Sequence, residues 1–242
     1  MGNDRDTGCK LFDQHGSTEA GVPDQELMFY ASRVEPKVIS IEPHITTVDG
    51  RIAKRIGGVD EALAVTVSGD DYRAARDCKM QASKKTGSSY NNGLGNTVDD
   101  EKHVERTGRI GEMALSSITG CPVDLTYREC GDNMDFETDG VTYDIKTASG
   151  LKPYRLGLIM VRNPEGFEMP LKCDIYIVAY VAKEDREAMT ADVVIVGYQT
   201  KEWLLANCKE VPGMLNSLHM NFELPYSELL PARDLLEMMR SE

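Results

Sequence analysis

The fold is decided by the stretch Asp132-Asn-Met-Asp-Phe-Glu-Thr-Asp-Gly-Val-Thr-Tyr-Asp-Ile-Lys-Thr147, which has the pattern of two short strands joined by a tight turn. Asp139 and Gly140 lie between two runs of alternating polar and apolar residues, and this dipeptide is typical of a type I′ turn, in which both central residues have positive φ. The turn predicts four facing pairs: Thr138 with Val141, Glu137 with Thr142, Phe136 with Tyr143, and Asp135 with Asp144.

The register of this hairpin brings charged residues together. Facing residues of a strand pair project to the same side of a sheet, as do residues two apart on one strand, so Asp135, Asp144 and Lys146 are predicted to share a face. The opposite face would hold the residues that pack: Phe136, Tyr143 and Ile145. Two aspartates directly opposite each other repel and need a compensating cation. Carboxylate oxygens favour Mg²⁺ or Mn²⁺, and Lys146 would point at the same water or phosphate.

A plainer interpretation is a solvent-facing amphipathic hairpin on which Lys146 merely screens Asp144, as holds for most isolated Asp-x-Lys triplets. Four features favour the functional interpretation: a second aspartate opposite the first, an apolar opposite face, a preceding helix that carries an acid, and further strands to complete a sheet. Their coincidence makes a metal-dependent site the favoured prediction.

A basic helix is predicted from about Asp70 to Lys85, with Ser68 as its N-cap and Gly87 at its end. Between residues 73 and 85 it holds one acid, Asp77, against five basic residues: Arg73, Arg76, Lys79, Lys84 and Lys85. Such a helix could meet a phosphate backbone, but a solvated helix face explains the pattern equally well.

A second helix is predicted from about Asp99 to Ile118, followed by Gly120. Its packing stripe contains small and aliphatic residues at helical spacing, and Arg109 and Glu112 lie on an adjacent face.

After this helix the hydrophobic period changes to that of strands. The predicted strands are Val123 to Glu129, Met134 to Thr138, Val141 to Ala148, Arg155 to Val161, Asp174 to Val181, and Val193 to Tyr198. A helix capped by Thr200 and a terminal helix from Pro231 to Met239 follow. Residues 1–67 are interpreted as an N-terminal extension or small subdomain, and residues 68–242 as the main domain.

The order of helix, strand, aspartate strand and Asp-x-Lys strand, between about Val104 and Tyr198, resembles the PD-(D/E)XK nuclease superfamily. The resemblance implies an α/β fold with a restriction-endonuclease-like core, in which helices flank a central mixed β-sheet. Met134 stands where the superfamily name has its proline, a position that varies widely among members. Asp132 and Asp139 are other candidates for the first aspartate, although Asp139 would lie in the turn, away from the side chain of Asp144.

The resemblance also implies roles for individual residues. Asp135 and Asp144 would bind Mg²⁺ or Mn²⁺, together with the backbone carbonyl of Ile145. Lys146 would position or activate the attacking water. Glu112 matches the helical acid found in many members and is a further candidate ligand.

The expected activity is therefore hydrolysis of phosphodiester bonds, with DNA as the expected nucleic-acid partner, by in-line attack of water. Arg106, Arg109 and the basic residues of the first helix are candidate backbone contacts. A nucleic-acid-binding or assembly protein that keeps the scaffold without turnover is a rival interpretation, and a small-molecule metalloenzyme is another. The sequence leaves open whether two copies act as a homodimer.

Composition limits the class of protein. The net charge of −13 argues against coating nucleic acid by bulk electrostatics, but carboxylates that hold cations contribute to such a balance. The six cysteines form no Cys-x-x-Cys pair, which favours reduced thiols. The apolar runs are too short for a signal peptide or a membrane span, so we expect a cytoplasmic protein with no membrane partner.

Overall fold

The structure is a computed structural model, and it describes residues 28–40, 47–48, 51–52, 61–77, 98–125, 134–149, 155–162, 168–212 and 220–239. The strands are β1 Met28–Phe29, β2 Lys37–Ser40, β3 Thr47–Val48, β4 Arg51–Ile52, β5 Glu61–Ser68, β6 Val123–Asp124, β7 Phe136–Thr138, β8 Val141–Ala148, β9 Arg155–Arg162, β10 Ile175–Asp185, β11 Thr190–Thr200, β12 Lys209–Pro212, β13 Met220–Pro225 and β14 Leu230–Pro231. The helices are α1 Gly69–Asp77, α2 Val98–Thr119, α3 Lys201–Asn207 and α4 Ala232–Met239.

A seven-stranded mixed sheet forms the centre of the described chain. Its order is β2-β5-β11-β10-β8-β7, and β14 pairs with β11. Strands β8 and β10 run parallel, whereas the other neighbouring pairs are antiparallel. The prediction of an α/β fold with a central mixed sheet flanked by helices is confirmed. Strands β2 and β5 precede residue 68, so this sheet has strands on both sides of the predicted boundary between residues 67 and 68.

Helices α1, α2 and α4 cover one face of the central sheet. Alternate residues of the strands point into this layer, because the side-chain period of a strand is two. The layer includes Val65, Val67, Tyr143, Ile145, Ile177, Val193 and Ile195 from strands, and Tyr72, Met113, Leu115 and Leu235 from helices. Helix α2 ends where Gly120, with a φ of +82°, donates its N–H to the Ser116 carbonyl at 2.7 Å.

A three-stranded sheet of order β12-β13-β9 packs on the other face together with α3. The buried residues of this layer include Ala148, Tyr176, Val178 and Val196 from the central sheet, and Ile159, Leu204, Phe222 and Leu224 from the covering elements. The hairpin strand β8 therefore lies between a helical layer and a second β layer.

Most predicted elements are present, with shifted ends. Helix α2 extends one residue beyond the prediction at each end, and Thr200 caps α3 by accepting a hydrogen bond from the N–H of Trp203. Strands β10 and β11 are longer than predicted because they form one long hairpin. Helix α1 ends at Asp77 in the described ranges, and residues 78–97 lie outside them. None of the helices in those ranges combines the length and apolar character that crossing a membrane requires.

Candidate functional site

The turn at Asp139 and Gly140 has the predicted conformation, with φ values of +52° and +77°. Both are positive, as the type I′ turn requires. The three predicted pairs nearest to this turn are confirmed: Thr138 with Val141, Glu137 with Thr142, and Phe136 with Tyr143. The side chains of Phe136, Tyr143 and Ile145 are buried in the layer that contains α2, as expected.

The register departs from the prediction at Asp135. Its backbone N–H donates to the carbonyl of Tyr143 at 2.9 Å, although Tyr143 already pairs with Phe136. Two consecutive residues thus oppose one, which is the arrangement of a β-bulge. The bulge turns the Asp135 side chain toward strand β8, where its Oδ2 accepts a hydrogen bond from the N–H of Ile145 at 2.7 Å. Asp135 therefore lies at the end of β7 instead of facing Asp144 across the ladder.

Asp144 and Lys146 lie on the face of β8 that points away from α2. The Lys146 ammonium is 2.7 Å from the Asp144 carboxylate, and the two side chains are 32% and 16% exposed. The pair shares this side of the sheet with Tyr176, which is the neighbour of Asp144 on the parallel strand β10. Lys146 is thus an ion-pair partner of Asp144. The plainer interpretation of the sequence, in which Lys146 only screens Asp144, also predicts this pair.

Glu112 approaches the hairpin from α2. This helix passes close to β8 at Gly111, where an added Cβ would lie only 1.8 Å from the Oγ1 of Thr147. The Glu112 carboxylate is 11% exposed and lies 2.6 Å from Nη1 of Arg109 on the preceding turn. The close packing at Gly111 is therefore what brings the helical acid to the strand that carries Asp144 and Lys146.

The charges of these residues act on Asp135. Burial raises the pKa of its carboxyl well above the ordinary value, and the nearby carboxylates of Glu112 and Asp144 raise it further. The Lys146 ammonium and the Ile145 N–H act in the opposite direction and do not compensate. We call Glu112, Asp135, Asp144 and Lys146 the carboxylate cluster. It holds an excess of negative charge around Asp135.

The carboxylate cluster does not form a finished metal site as it stands. Among the residues that the structure describes, no three His, Cys, Asp or Glu side chains lie in an arrangement that could hold a metal ion. The strand geometry does orient one further possible metal ligand, a backbone carbonyl, in a suitable direction. The N–H and C=O of one residue point to the same side of a strand, so the Ile145 carbonyl points toward the edge where its N–H meets Asp135.

The predicted nucleic-acid contacts fall into three groups. Arg73 and Arg76 are about half exposed on α1, where they form ion pairs with Asp70 and Asp77. Lys79, Lys84 and Lys85 lie outside the described residues. Arg106 and Arg109 face inward on α2, with 14% and 18% of their side chains exposed, and both bind carboxylates.

Arg106 belongs to a second charged group that the sequence did not predict. Its Nε lies 2.9 Å from Glu184, which also accepts a 2.7 Å hydrogen bond from the hydroxyl of Tyr72 and lies 3.6 Å from Arg186. We call Tyr72, Arg106, Glu184 and Arg186 the arginine tie, since it connects α1 and α2 to the β10–β11 hairpin. The sequence does show Tyr72 and Arg106 on successive predicted helices, but neither residue identifies Glu184 as their common partner.

Tyr176 and Cys173 are two neighbours of the carboxylate cluster that sequence reasoning also missed. Both are buried, and the Tyr176 hydroxyl accepts a hydrogen bond from the backbone N–H of Cys173 at 3.3 Å. Burial raises the pKa of each side chain to about 12, and the charge of Asp144 adds to this effect. They therefore stay neutral near pH 7. The parallel pairing of β8 with β10 brings them here, and strand patterns alone do not reveal such a pairing.

Comparisons with models of known protein families, with curated proteins and with solved structures found no match to this chain.

Proposed function

We propose that the protein is a metal-dependent nuclease that hydrolyses DNA phosphodiester bonds at the carboxylate cluster. The observation that carries the proposal is the convergence of charge on Asp135. Burial and two neighbouring carboxylates, those of Glu112 and Asp144, raise its pKa, and the hydrogen bond from Ile145 aims its side chain at the edge of β8. A buried carboxyl group beside two carboxylates costs stability and is typical of a site that a ligand completes.

The donor set supports Mg²⁺ or Mn²⁺ as that ligand. Glu112, Asp135 and Asp144 offer hard carboxylate oxygens, which these ions prefer, and a bound cation would relieve the repulsion around Asp135. Asp135 and Asp144 would hold the ion with the Ile145 carbonyl, and Glu112 is a further candidate. When bound, the ion would supply Lewis-acid stabilisation of a phosphate and of its attacking water.

The protein side chains would have separate tasks in this reaction. Asp135 is held by Ile145 N–H, so its carboxylate is fixed before any substrate binds. The Lys146 ammonium lies 2.7 Å from Asp144 and would orient a water molecule or a phosphate oxygen once it leaves that ion pair. Neutral Tyr176 and Cys173 would keep one wall of the site free of further charge.

One observation favours a second candidate function, a nucleic-acid-binding or assembly protein without turnover. Lys146 already neutralises Asp144 at 2.7 Å, and a scaffold that needs no metal would be stable with this ion pair in place. Calorimetric titration with Mn²⁺ separates the two candidates, because the binding-only protein has no need of a metal at the hairpin.

The nuclease proposal is tested by incubating the purified protein with linear, supercoiled, single-stranded and junction DNA in Mg²⁺, Mn²⁺ or EDTA. We expect cleavage in either metal and none in EDTA. Asp144→Asn and Lys146→Met should each lower the rate on the order of a hundred- to a thousand-fold, the usual loss when one group that stabilises transition-state charge is removed.

Asp192→Asn is the matched control, since this carboxylate on β11 is exposed and accepts a hydrogen bond from the Thr66 hydroxyl. It should cut like the wild type. If Asp144→Asn and Lys146→Met leave cleavage unchanged, or if no DNA is cut in either metal, the proposal is wrong.

A further inference from the structure

Arg109 is fixed at two points beside the carboxylate cluster. Its Nη1 donates to Oε2 of Glu112 at 2.6 Å and to the backbone carbonyl of Asp124 at 3.0 Å. The second partner belongs to β6, which follows the end of α2 and pairs with β1. The guanidinium is thus anchored to backbone that is not part of its own helix.

These contacts differ from what a nucleic-acid backbone contact requires. A side chain that follows phosphates must reach solvent, whereas Arg109 is 18% exposed and lies against a carboxylate that is 11% exposed. Arg233 is a useful contrast, because it makes an Arg–Glu pair of the same 2.6 Å length with Glu61 while about half exposed. Burial and the bond to the Asp124 carbonyl therefore distinguish Arg109 from an ordinary surface pair.

We infer that Arg109 is a positioning residue that holds Glu112 toward Asp135, and that it does not contact the nucleic-acid backbone. The inference rests on the proposed function, since the carboxylate cluster is what is being positioned. Glu112 follows Gly111, where α2 packs closely on Thr147 of β8, and Arg109 holds its carboxylate there at 2.6 Å. Because Arg109 is also bound to the Asp124 carbonyl, it restrains the rotation of the Glu112 side chain.

The inference predicts a split between turnover and DNA binding. Arg109→Gln and Arg109→Lys should lower kcat by about 10- to 100-fold and weaken Mn²⁺ binding in calorimetry, as the loss of groups that orient metal ligands does. KM for DNA and the salt dependence of DNA binding should match the wild type. The lysine variant keeps the positive charge but has a shorter side chain and lacks the guanidinium fork, so it should not rescue kcat. Arg233→Gln, which removes an equal charge from the exposed pair, should change none of these quantities.

The opposite split would overturn the inference. A phosphate contact predicts an unchanged kcat, a raised KM, a salt slope reduced by about one, and rescue by Arg109→Lys. If the wild type neither cuts DNA nor binds Mn²⁺, the proposed nuclease function fails. The positioning of Glu112 by Arg109 is then tested by urea unfolding. The urea midpoints of Arg109→Gln, Glu112→Gln and the double variant should then be non-additive. Additive midpoints would rule out the coupling between Arg109 and Glu112.

Discussion

Helix α2 contributes to two charged groups, the carboxylate cluster through Glu112 and the arginine tie through Arg106. In the arginine tie a single carboxylate, Glu184, meets two arginines and a tyrosine hydroxyl. Burial alone would raise the pKa of Glu184, but the hydrogen bond from Tyr72 and the charges of Arg106 and Arg186 outweigh it, so its pKa is lowered. In the carboxylate cluster the balance is reversed, and the pKa of Asp135 is raised.

Under the proposed function, the arginine tie contributes to stability and the carboxylate cluster binds a ligand. Both contain buried charge, so burial alone does not distinguish them. The balance of neighbouring charges distinguishes them. In the arginine tie, a tyrosine hydroxyl and two arginines lower the pKa of Glu184, whereas in the carboxylate cluster burial and two carboxylates raise the pKa of Asp135. Substitutions in the carboxylate cluster should therefore lower activity without lowering stability, whereas substitutions in the arginine tie should lower stability without lowering activity.

The largest effect is expected for Asp135→Asn. The amide oxygen still accepts the hydrogen bond from Ile145, while the repulsion from Glu112 and Asp144 is removed. DNA cleavage should fall on the order of a thousand-fold, and the urea midpoint should stay the same or rise. A clear loss of stability would show that Asp135 belongs to a self-sufficient structural group, and the contrast with the arginine tie would be lost.

A smaller effect is expected for Gly111→Ala, which tests whether the close packing of α2 on β8 places Glu112 in the carboxylate cluster. The new Cβ would lie 1.8 Å from the Thr147 hydroxyl, so α2 must move off β8. Overpacking of this severity should cost about 3 kcal/mol of unfolding free energy, and misplacing Glu112 should slow cleavage on the order of a hundred-fold.

Gly108→Ala is the control for this substitution, because a Cβ at Gly108, one turn earlier on α2, has no atom within 4 Å. It should raise stability by about 0.5–1 kcal/mol through helix propensity. Equal results for the two alanines, by urea denaturation and by cleavage assay, would mean that the close approach at Gly111 has no role.

The smallest effect is expected for Glu184→Gln, which weakens the arginine tie. Replacing a carboxylate that accepts charged hydrogen bonds should cost about 2 kcal/mol at neutral pH, with cleavage by the intact cluster unchanged. The pKa of Glu184 is lowered by folding, so its contribution is complete above the ordinary value of 4.5 and is lost as the pH falls through the folded-state value. The stability difference between wild type and variant, from urea melts between about pH 3 and pH 7, should shrink toward the acid end. A difference that is constant over this range would exclude the ionised carboxylate as its source.

The sequence predicted what depends on local interactions. The Asp139-Gly140 turn and three facing pairs of the hairpin agree with the structure, since a two-residue turn determines the register of the strands next to it. The prediction failed at the fourth pair, because Asp135 forms two hydrogen bonds to β8. Its N–H donates to the Tyr143 carbonyl, and its side chain accepts from the Ile145 N–H. A pattern of alternating residues does not reveal a bond between a side chain and the backbone.

Contacts between distant residues were the other limit. Arg106 was predicted to contact a nucleic-acid backbone, but in the structure it binds Glu184, which lies 78 residues away in the sequence. Tyr176 was missed because it is also distant in the sequence, and the parallel pairing of β8 and β10 places it beside Asp144. The roles of the carboxylate cluster and its metal stay predictions until cleavage and metal binding are measured.

The parallel pairing of β8 with β10 has a consequence for how the protein could diversify. Parallel neighbours need a long connection, and here the chain leaves the central sheet after Ala148, forms β9 in the covering sheet and returns at Ile175. This excursion begins directly after the strand that carries Asp144 and Lys146, and its residues pack over the same face. Insertions or deletions in it would change what covers those side chains while the hairpin itself stays intact, so under the proposed function substrate preference could change there through differences in length alone.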